Sequence, residues 1–309
     1  MSSKILLVFF LCLSLTVLSC QPAKETHAAD NKLKVMATIF PLYDFARIIG
    51  GNKIDVTMIL PPATDAHHYE LKPNDIIKVC KSDIFLFTNF EMEQWAYKII
   101  QGSAEHTNML AVEAGAGVFL LPLSEEDQEN KNYKFDPHIW LDLDNAQKMV
   151  DNITKSFIKK DQRNSDYYKK TAAQYKLKLA ALDRRYNSEL AKCRTKTILH
   201  AGHWAFAYLA KKYNLEYIAA YNASVESEPL PQNIFTLIEQ IKKQKIRYLY
   251  YEDLTAPRLA QTIAKETGAG LLKLSNGHDI SKDDIKKGVS FLLLMEENLK
   301  NLKKGLSCP

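Results

Sequence analysis

The stretch DAHHYELKPND, residues 65–75, sets two imidazoles side by side, then a carboxylate, then a proline that opens a helical pattern. Imidazoles are costly to cluster unless something between them takes their lone pairs. Three neutral imidazoles suit a borderline divalent ion such as Zn2+, bound at about 2.0–2.1 Å with oxygen or water completing the shell. A hard ion such as calcium or magnesium demands oxygen instead. Further histidines fall at comparable places: His138 in FDPHIWLDLDNA, His203 in HAGHWAF and His278 in SNGH. His67 and His68 are neighbours whose side chains point apart, so one of the two is expected to bind. His200 reads as a strand-end residue bonded to backbone, and His27 and His106 receive no role.

The elements that must position these residues follow from periodicity. Short apolar, β-rich runs alternate with helical patterns twice over. The first half offers KLKVMATI, IDVTMIL, IFLFTN and GVFLL as strands; the second offers TKTILHA, EYIAAYN, IRYLYYE and GLLKL. PLYDFARIIG, PNDIIKVCK, WAFAYLAKKY and IFTLIEQIKKQ read as helices between them. Alternation of this kind predicts an α/β fold with parallel sheets covered on both faces. Four strands in each half predict two lobes, one continuous sheet being the alternative. Between them, Ala172, Tyr175, Leu179, Leu182, Tyr186 and Leu190 recur at helical spacing with no glycine or proline. That predicts one long rigid α-helix of about 40 Å joining the lobes. The expected division is an N-terminal lobe at 32–164, the connecting helix at 165–192 and a C-terminal lobe at 193–309.

On this layout His67 follows IDVTMIL, His138 follows GVFLL, His203 follows TKTILHA and His278 follows GLLKL. Ligands of open parallel sheets collect beyond the carboxyl ends of the strands, so a cleft between the lobes is the natural place for them to meet. Asp136-Pro137 stiffens the loop of His138, and Trp140 and Trp204 stand close enough in sequence to dry the cleft. Glu70, Asp142 or backbone carbonyls are the candidates for holding the second imidazole nitrogens.

The first twenty residues, MSSKILLVFFLCLSLTVLSC, place one lysine before a short apolar run ending in small residues and a cysteine. The pattern is that of a signal peptide, too short for a membrane span. VLSC resembles a bacterial lipobox, which makes Cys20 the expected site of lipidation; residues 21–31 read as a flexible tether to the membrane. Cys80, Cys193 and Cys308 leave open one disulfide or none, with Cys80 read as a buried free thiol. The net charge of +5, spread over many lysines without a basic patch, argues against nucleic acid as a partner.

Read as ordered blocks, the sequence resembles the solute-binding lipoproteins of metal-importing ABC transporters, the zinc and manganese group called cluster A-I or cluster 9. IFPLYDFARIIGGNKIDVTMILPPATDAHHYELKPND is similar to the family's opening block, DPHIWLD to the second and HWAFAYLAKKYNLE to the third; ESEPLPQNIFTLIEQIKKQKIRYLYYE carries a glutamate-proline pair, Glu228-Pro229. The resemblance implies His67, His138 and His203 as ligands, His68 as a variable neighbour, and a helix beginning at His203. It implies Zn2+ as transported ligand (Mn2+ the alternative), membrane permease and ATPase subunits as partners, and a monomer held outside the cytoplasm by its lipid. Two departures stand out. LSEEDQENKNYK is acidic but lacks the histidines of the zinc-collecting loop. Ser275 aligns where manganese-type members place a carboxylate, leaving water, His278 or Asp279 to take the fourth position. Two rivals are a lipid-anchored zinc-dependent hydrolase with Glu70 as base, which lacks an H-E-x-x-H helix, and a surface adhesion lipoprotein with incidental histidines.

Overall fold

The computed structural model describes residues 32–62, 64, 66–67, 69–103, 107–123, 134–221, 231–252 and 257–309. The segments expected to form a signal peptide and a tether, with Cys20, His27, His68, His106, Glu228-Pro229 and most of the acidic loop, lie outside the described residues. Among the described residues no helix is long and apolar enough to cross a membrane.

Two separate four-stranded parallel sheets form, which rules out one continuous sheet. The first comprises β1 (Leu33–Ala37), β2 (Ile54–Met58), β3 (Ile84–Phe87) and β4 (Leu110–Glu113) in the order β2-β1-β3-β4. The second repeats that order as β6-β5-β7-β8, from β5 (Thr197–His200), β6 (Glu216–Ala219), β7 (Tyr248–Tyr251) and β8 (Gly270–Lys273). The strand order reverses between β1 and β3 and between β5 and β7, and the crevice at such a switch point is where open α/β sheets hold ligands. β3 (IFLF) and β5 (TILH) are buried at every position, as strands covered on both faces must be.

The covering helices are α1 (Phe40–Gly50), α2 (Pro73–Cys80), α3 (Gln94–Ser103) and α4 (Leu143–Lys160) around the first sheet. The long α5 (Ser165–Leu190) follows, then α6 (Ala207–Lys212), α7 (Pro231–Gln244), α8 (Pro257–Thr267), α9 (Lys282–Lys286) and α10 (Phe291–Gly305). All six residues of the stripe expected on α5 are buried. Its first half packs on the N-terminal lobe: Tyr175 meets Phe45 at 5.8 Å, and the Thr171 hydroxyl donates to Ile49 O of α1. Its second half serves the C-terminal lobe: Tyr186 stacks on Tyr213 at 4.9 Å and donates to Met295 O of α10. One rigid rod therefore touches both lobes. A second strut crosses between them where the buried Asp44 of α1 accepts from the Phe291 N–H at the start of α10; burial raises the Asp44 carboxyl above its usual range.

Three sequence expectations change here. GVFLL is not a strand. Its first residue, Gly117, closes a turn with a φ of +76° and Phe119 stands largely in solvent, while Leu110–Glu113 fills the sheet edge beside β3. The helix after His203 begins at Ala207, because the preceding backbone is held in an irregular turn by Tyr217, whose hydroxyl donates to His203 O and accepts from the Ala205 N–H. Cys80 is free but only half-buried, at the end of α2.

Cys193 and Cys308 form a disulfide across a sequence separation of 115, tying the chain end to the C-terminal end of α5. A loop of that size gives a crosslink its largest entropic effect on the unfolded state. Cys308→Ser is expected to cost about 2–5 kcal/mol in urea unfolding under oxidising conditions; adding reductant should bring the wild type down to the variant.

Candidate metal centre

Each lobe contributes two imidazoles to one buried cluster. His67 comes from the loop after β2 and His138 from just before a single 3-10 turn, Ile139–Leu141; His203 follows β5 and His278 follows β8. One ligand atom from each of the four lies within 4.8 Å of the others. The six distances between ring centroids run from 5.1 Å (His138–His203) to 6.2 Å (His67–His203). His138 is the hub: its Nε2 stands 3.3 Å from His67 Nε2 and 3.2 Å from His203 Nε2. Two nitrogens sharing a tetrahedral zinc at about 2.0–2.1 Å would be about 3.3 Å apart.

The carboxylates behind the rings decide which nitrogen faces inward. Asp136 Oδ1 accepts from both the His138 backbone N–H (2.9 Å) and His138 Nδ1 (2.8 Å). Glu252 Oε2, at the end of β7, lies 2.8 Å from His203 Nδ1. Each carboxylate accepts a hydrogen bond from Nδ1–H, so each neutral ring presents a bare Nε2 lone pair to the centre. Two lone pairs aimed at each other across 3.2 Å repel unless a cation or proton stands between them. Burial, then the neighbouring His203, His67 and His278, holds the His138 imidazole well below the usual histidine range, so protons are disfavoured there. Burial pushes Glu252 up, but the facing His203 and His200 imidazoles pull it down to about 2, keeping it anionic.

Of the expected partners for the second nitrogens, neither Glu70 nor Asp142 takes that part. Glu70 is exposed, and Asp142 caps α4 by accepting from the Asp144 N–H while pairing with Lys212 at 3.1 Å. Asp136 was legible as the residue two before His138 but was read only as a stiffener. Glu252 required knowing that β7 lies beside β5. Trp140 does dry the site, its ring 5.5 Å from His138 and 5.6 Å from His278; Trp204 stacks on Tyr217 instead. Of the residues named at the fourth position, the His278 ring stands in the cluster, the Ser275 hydroxyl accepts from the Gly277 N–H, and Asp279 is not among the clustered side chains. His200 is buried behind Glu252, with Nδ1 3.3 Å from the Tyr217 hydroxyl.

Gly202 makes the carboxylate's approach feasible. A Cβ there would lie 2.5 Å from His200 Cε1 and 2.7 Å from Glu252 Oε2. Gly202→Ala is therefore expected to push Glu252 off His203 and to weaken metal binding by about 10–100-fold, the usual cost of losing such a support. A competition titration against a chromogenic chelator reads this directly.

At the carboxyl ends of β1 and β3 sits a buried carboxylate that the sequence reading missed. Glu93 accepts from the Thr38 hydroxyl, from the Thr88 hydroxyl and N–H, and from the Asn89 N–H. Burial outweighs these donors and pushes it up to about 7. Asn89 in turn reaches Pro137 O at 3.5 Å, bracing the loop that carries His138.

With this geometry in view, comparison with known proteins is direct. The chain matches the family described as ZnuA, zinc-uptake complex component A periplasmic, over residues 35–305. It is 32% identical over 306 residues to the zinc-binding lipoprotein AdcA of Streptococcus pneumoniae serotype 4, covering 97% of this chain and 60% of that protein. It is also 32% identical over 302 residues to the high-affinity zinc uptake system protein ZnuA of Bacillus subtilis, covering 94% of each. The crystal structure of the Zn(II)-bound ZnuA-like domain of S. pneumoniae AdcA superimposes with a TM-score of 0.77 at 31% identity, covering 89% of this chain and 99% of that one. Against the full-length streptococcal relatives the chain spans only 60% of their length.

Proposed function

This chain belongs to the ZnuA family of periplasmic zinc-uptake components, and from that membership we propose that it captures Zn2+ outside the cytoplasm and delivers it to an ABC importer. The permease and ATPase subunits of that importer are its partners. In this reading His67, His138 and His203 hold the ion, and the lobes at 32–164 and 193–309 close on it about the helix at 165–192. Lipidation of Cys20 keeps the monomer at the membrane.

The observation that carries the proposal is the pair of Nε2 lone pairs facing each other across 3.2 Å in a buried cleft, each fixed by a carboxylate behind its ring. Imidazole nitrogen favours zinc over manganese, which prefers oxygen. Ligands drawn from both lobes also suit capture and release, because separating the lobes dismantles the site without unfolding either. The family is a solute-binding transport component and not an enzyme. The hydrolase reading lacks support, since Glu70, its base, is exposed and is not among the clustered side chains. An adhesion role alone gives no reason for buried imidazoles to converge.

The test is elemental analysis of protein purified without added metal, followed by thermal unfolding with Zn2+, with Mn2+ and with chelator. Zinc at about 1,000 times its Kd should stabilise the fold by about 4 kcal/mol, and chelator should remove the gain. Indifference of the melting curve to zinc and chelator alike would defeat the proposal.

A further inference from the structure

We propose that His278 is a true fourth ligand, so that the cargo site is a closed shell of four imidazole nitrogens with no oxygen donor, and that this closure is what selects zinc and excludes manganese. The inference rests on the zinc-capture reading above and names the residue that sets its selectivity.

Four observations support it. First, the His278 ring stands 6.0 Å from His67, 5.7 Å from His138 and 5.9 Å from His203, so the four centroids mark the corners of a slightly expanded tetrahedron. Second, His278 is only 8% exposed, yet neither ring nitrogen has a hydrogen-bond partner among the described residues. A buried polar group without a partner is costly, and an ion held between the four rings would satisfy that imidazole lone pair. Third, the ring is delivered by a loop built for the purpose. Gly277 takes a φ of +80°, and the Asn276 side chain accepts from the His278 and Asp279 N–H groups, both at 3.0 Å. Asn276 also donates to Glu252 at 2.8 Å, and its carbonyl accepts from Trp140 Nε1 at 2.7 Å, tying the loop to both lobes. Asn298 of α10 clamps the backbone of Ser275 on both sides, donating to its carbonyl and accepting from its N–H. Fourth, His278 Nδ1 lies 3.3 Å from Asp279 Oδ1, without the alignment of a hydrogen bond. A small turn of the ring toward an ion would align that pair and repeat the carboxylate–imidazole arrangement of His138 and His203.

The consequence is chemical. Four neutral imidazoles around a divalent ion leave the charge to be balanced by Asp136, Glu252 and Asp279, one bond further out. Mn2+ binds nitrogen sites weakest of the first-row series and meets no carboxylate among the clustered side chains of the described residues, whereas Zn2+ accepts a four-nitrogen tetrahedron. A closed shell also leaves no position for an activated water, which separates the site from catalytic zinc centres.

Cobalt substitution and zinc X-ray absorption test this on the whole protein. The wild type should give the intense visible bands of tetrahedral Co2+ and a zinc spectrum fitted by four imidazoles. His278→Ala should weaken and shift the cobalt bands and lower zinc affinity by more than about 100-fold, beyond the loss of a supporting carboxylate. His278→Asp should raise Mn2+ affinity and narrow the zinc-to-manganese ratio at least about tenfold. A wild-type zinc spectrum of three imidazoles plus oxygen, or an unchanged cobalt spectrum in a folded His278→Ala variant, would overturn the proposal while leaving zinc capture intact. Failure of the wild type to bind either Zn2+ or Co2+ would overturn both.

Discussion

His138→Ala is expected to abolish most of the zinc-dependent rise in melting temperature, whereas His68→Ala should leave that rise nearly intact. The reason is position in the cluster. His138 Nε2 makes both of the short approaches, 3.3 Å to His67 and 3.2 Å to His203, so its removal takes away the one vertex that the other imidazoles already share. It is also the best supported ring, because Asp136 accepts from its backbone and its side chain together. Losing a supporting partner costs metal sites about 10–100-fold, and losing the ligand itself should exceed that. At fixed free zinc a loss of about 100-fold or more removes at least about 2.7 kcal/mol of stabilisation. The apo variant will be weakened too, since buried Asp136 loses the imidazole N–H and keeps the backbone N–H, at about 1–3 kcal/mol. The comparison must therefore be the difference between zinc and chelator within each variant, measured by calorimetry. Equal differences for His138→Ala and His68→Ala would mean that the wrong member of the first histidine pair, or the wrong block, has been assigned.

Much of this was legible in the sequence because its signals are local. The stripe on α5 is a plain helical period, and it is buried where expected. Seven of the eight expected strands form, since β-branched and aromatic runs covered on both faces have few alternatives. GVFLL fails because an apolar run says nothing about which segment takes the last edge of a sheet; Leu110–Glu113, half-buried throughout, won that place. The histidines were legible as residue types at strand ends, but the carboxylates behind them were not. Asp136 binds its histidine through a two-residue turn, readable in principle from D-P-H, yet Asp142, four residues on, is also within local reach of the same ring. Glu252 acts on a residue 49 positions away, and only the β5–β7 pairing brings them together. The same applies to Cys193 and Cys308, whose meeting depends on α10 returning the chain end to the base of α5.

The acid response of the apo protein gives the second large effect, and its sign follows from His200. Tyr217 uses its only proton on His203 O, so His200 Nδ1 must donate to that hydroxyl, leaving Nε2 as a bare acceptor without a hydrogen-bond partner among the described residues. Burial pushes this imidazole down to about 4, against the partial upward pull of Glu252. A folded value below the unfolded one, about 6.5, means that the unfolded chain takes up the proton first. The His200 contribution to stability is therefore complete above pH 6.5 and is lost as pH falls from there toward 4, at about 1.4 kcal/mol per unit and about 3 kcal/mol in all. His138, also lowered by burial, adds a loss of the same sign. Glu252 acts in a lower window: held at about 2, its contribution is present above about 4.5 and disappears between 4.5 and 2. Glu93, raised to about 7, changes in the opposite sense between pH 7 and 4.5, so the His200 share is read as the difference between wild type and variant in urea unfolding of chelated protein between pH 7 and 5. His200→Asn, which keeps a polar atom toward Tyr217 but cannot take up the proton, should lose less stability over that range by about 1–2 kcal/mol. Parallel curves for the two proteins would mean that the His200 imidazole titrates alike in the folded and unfolded chains, and its burial would then carry no share of the acid response.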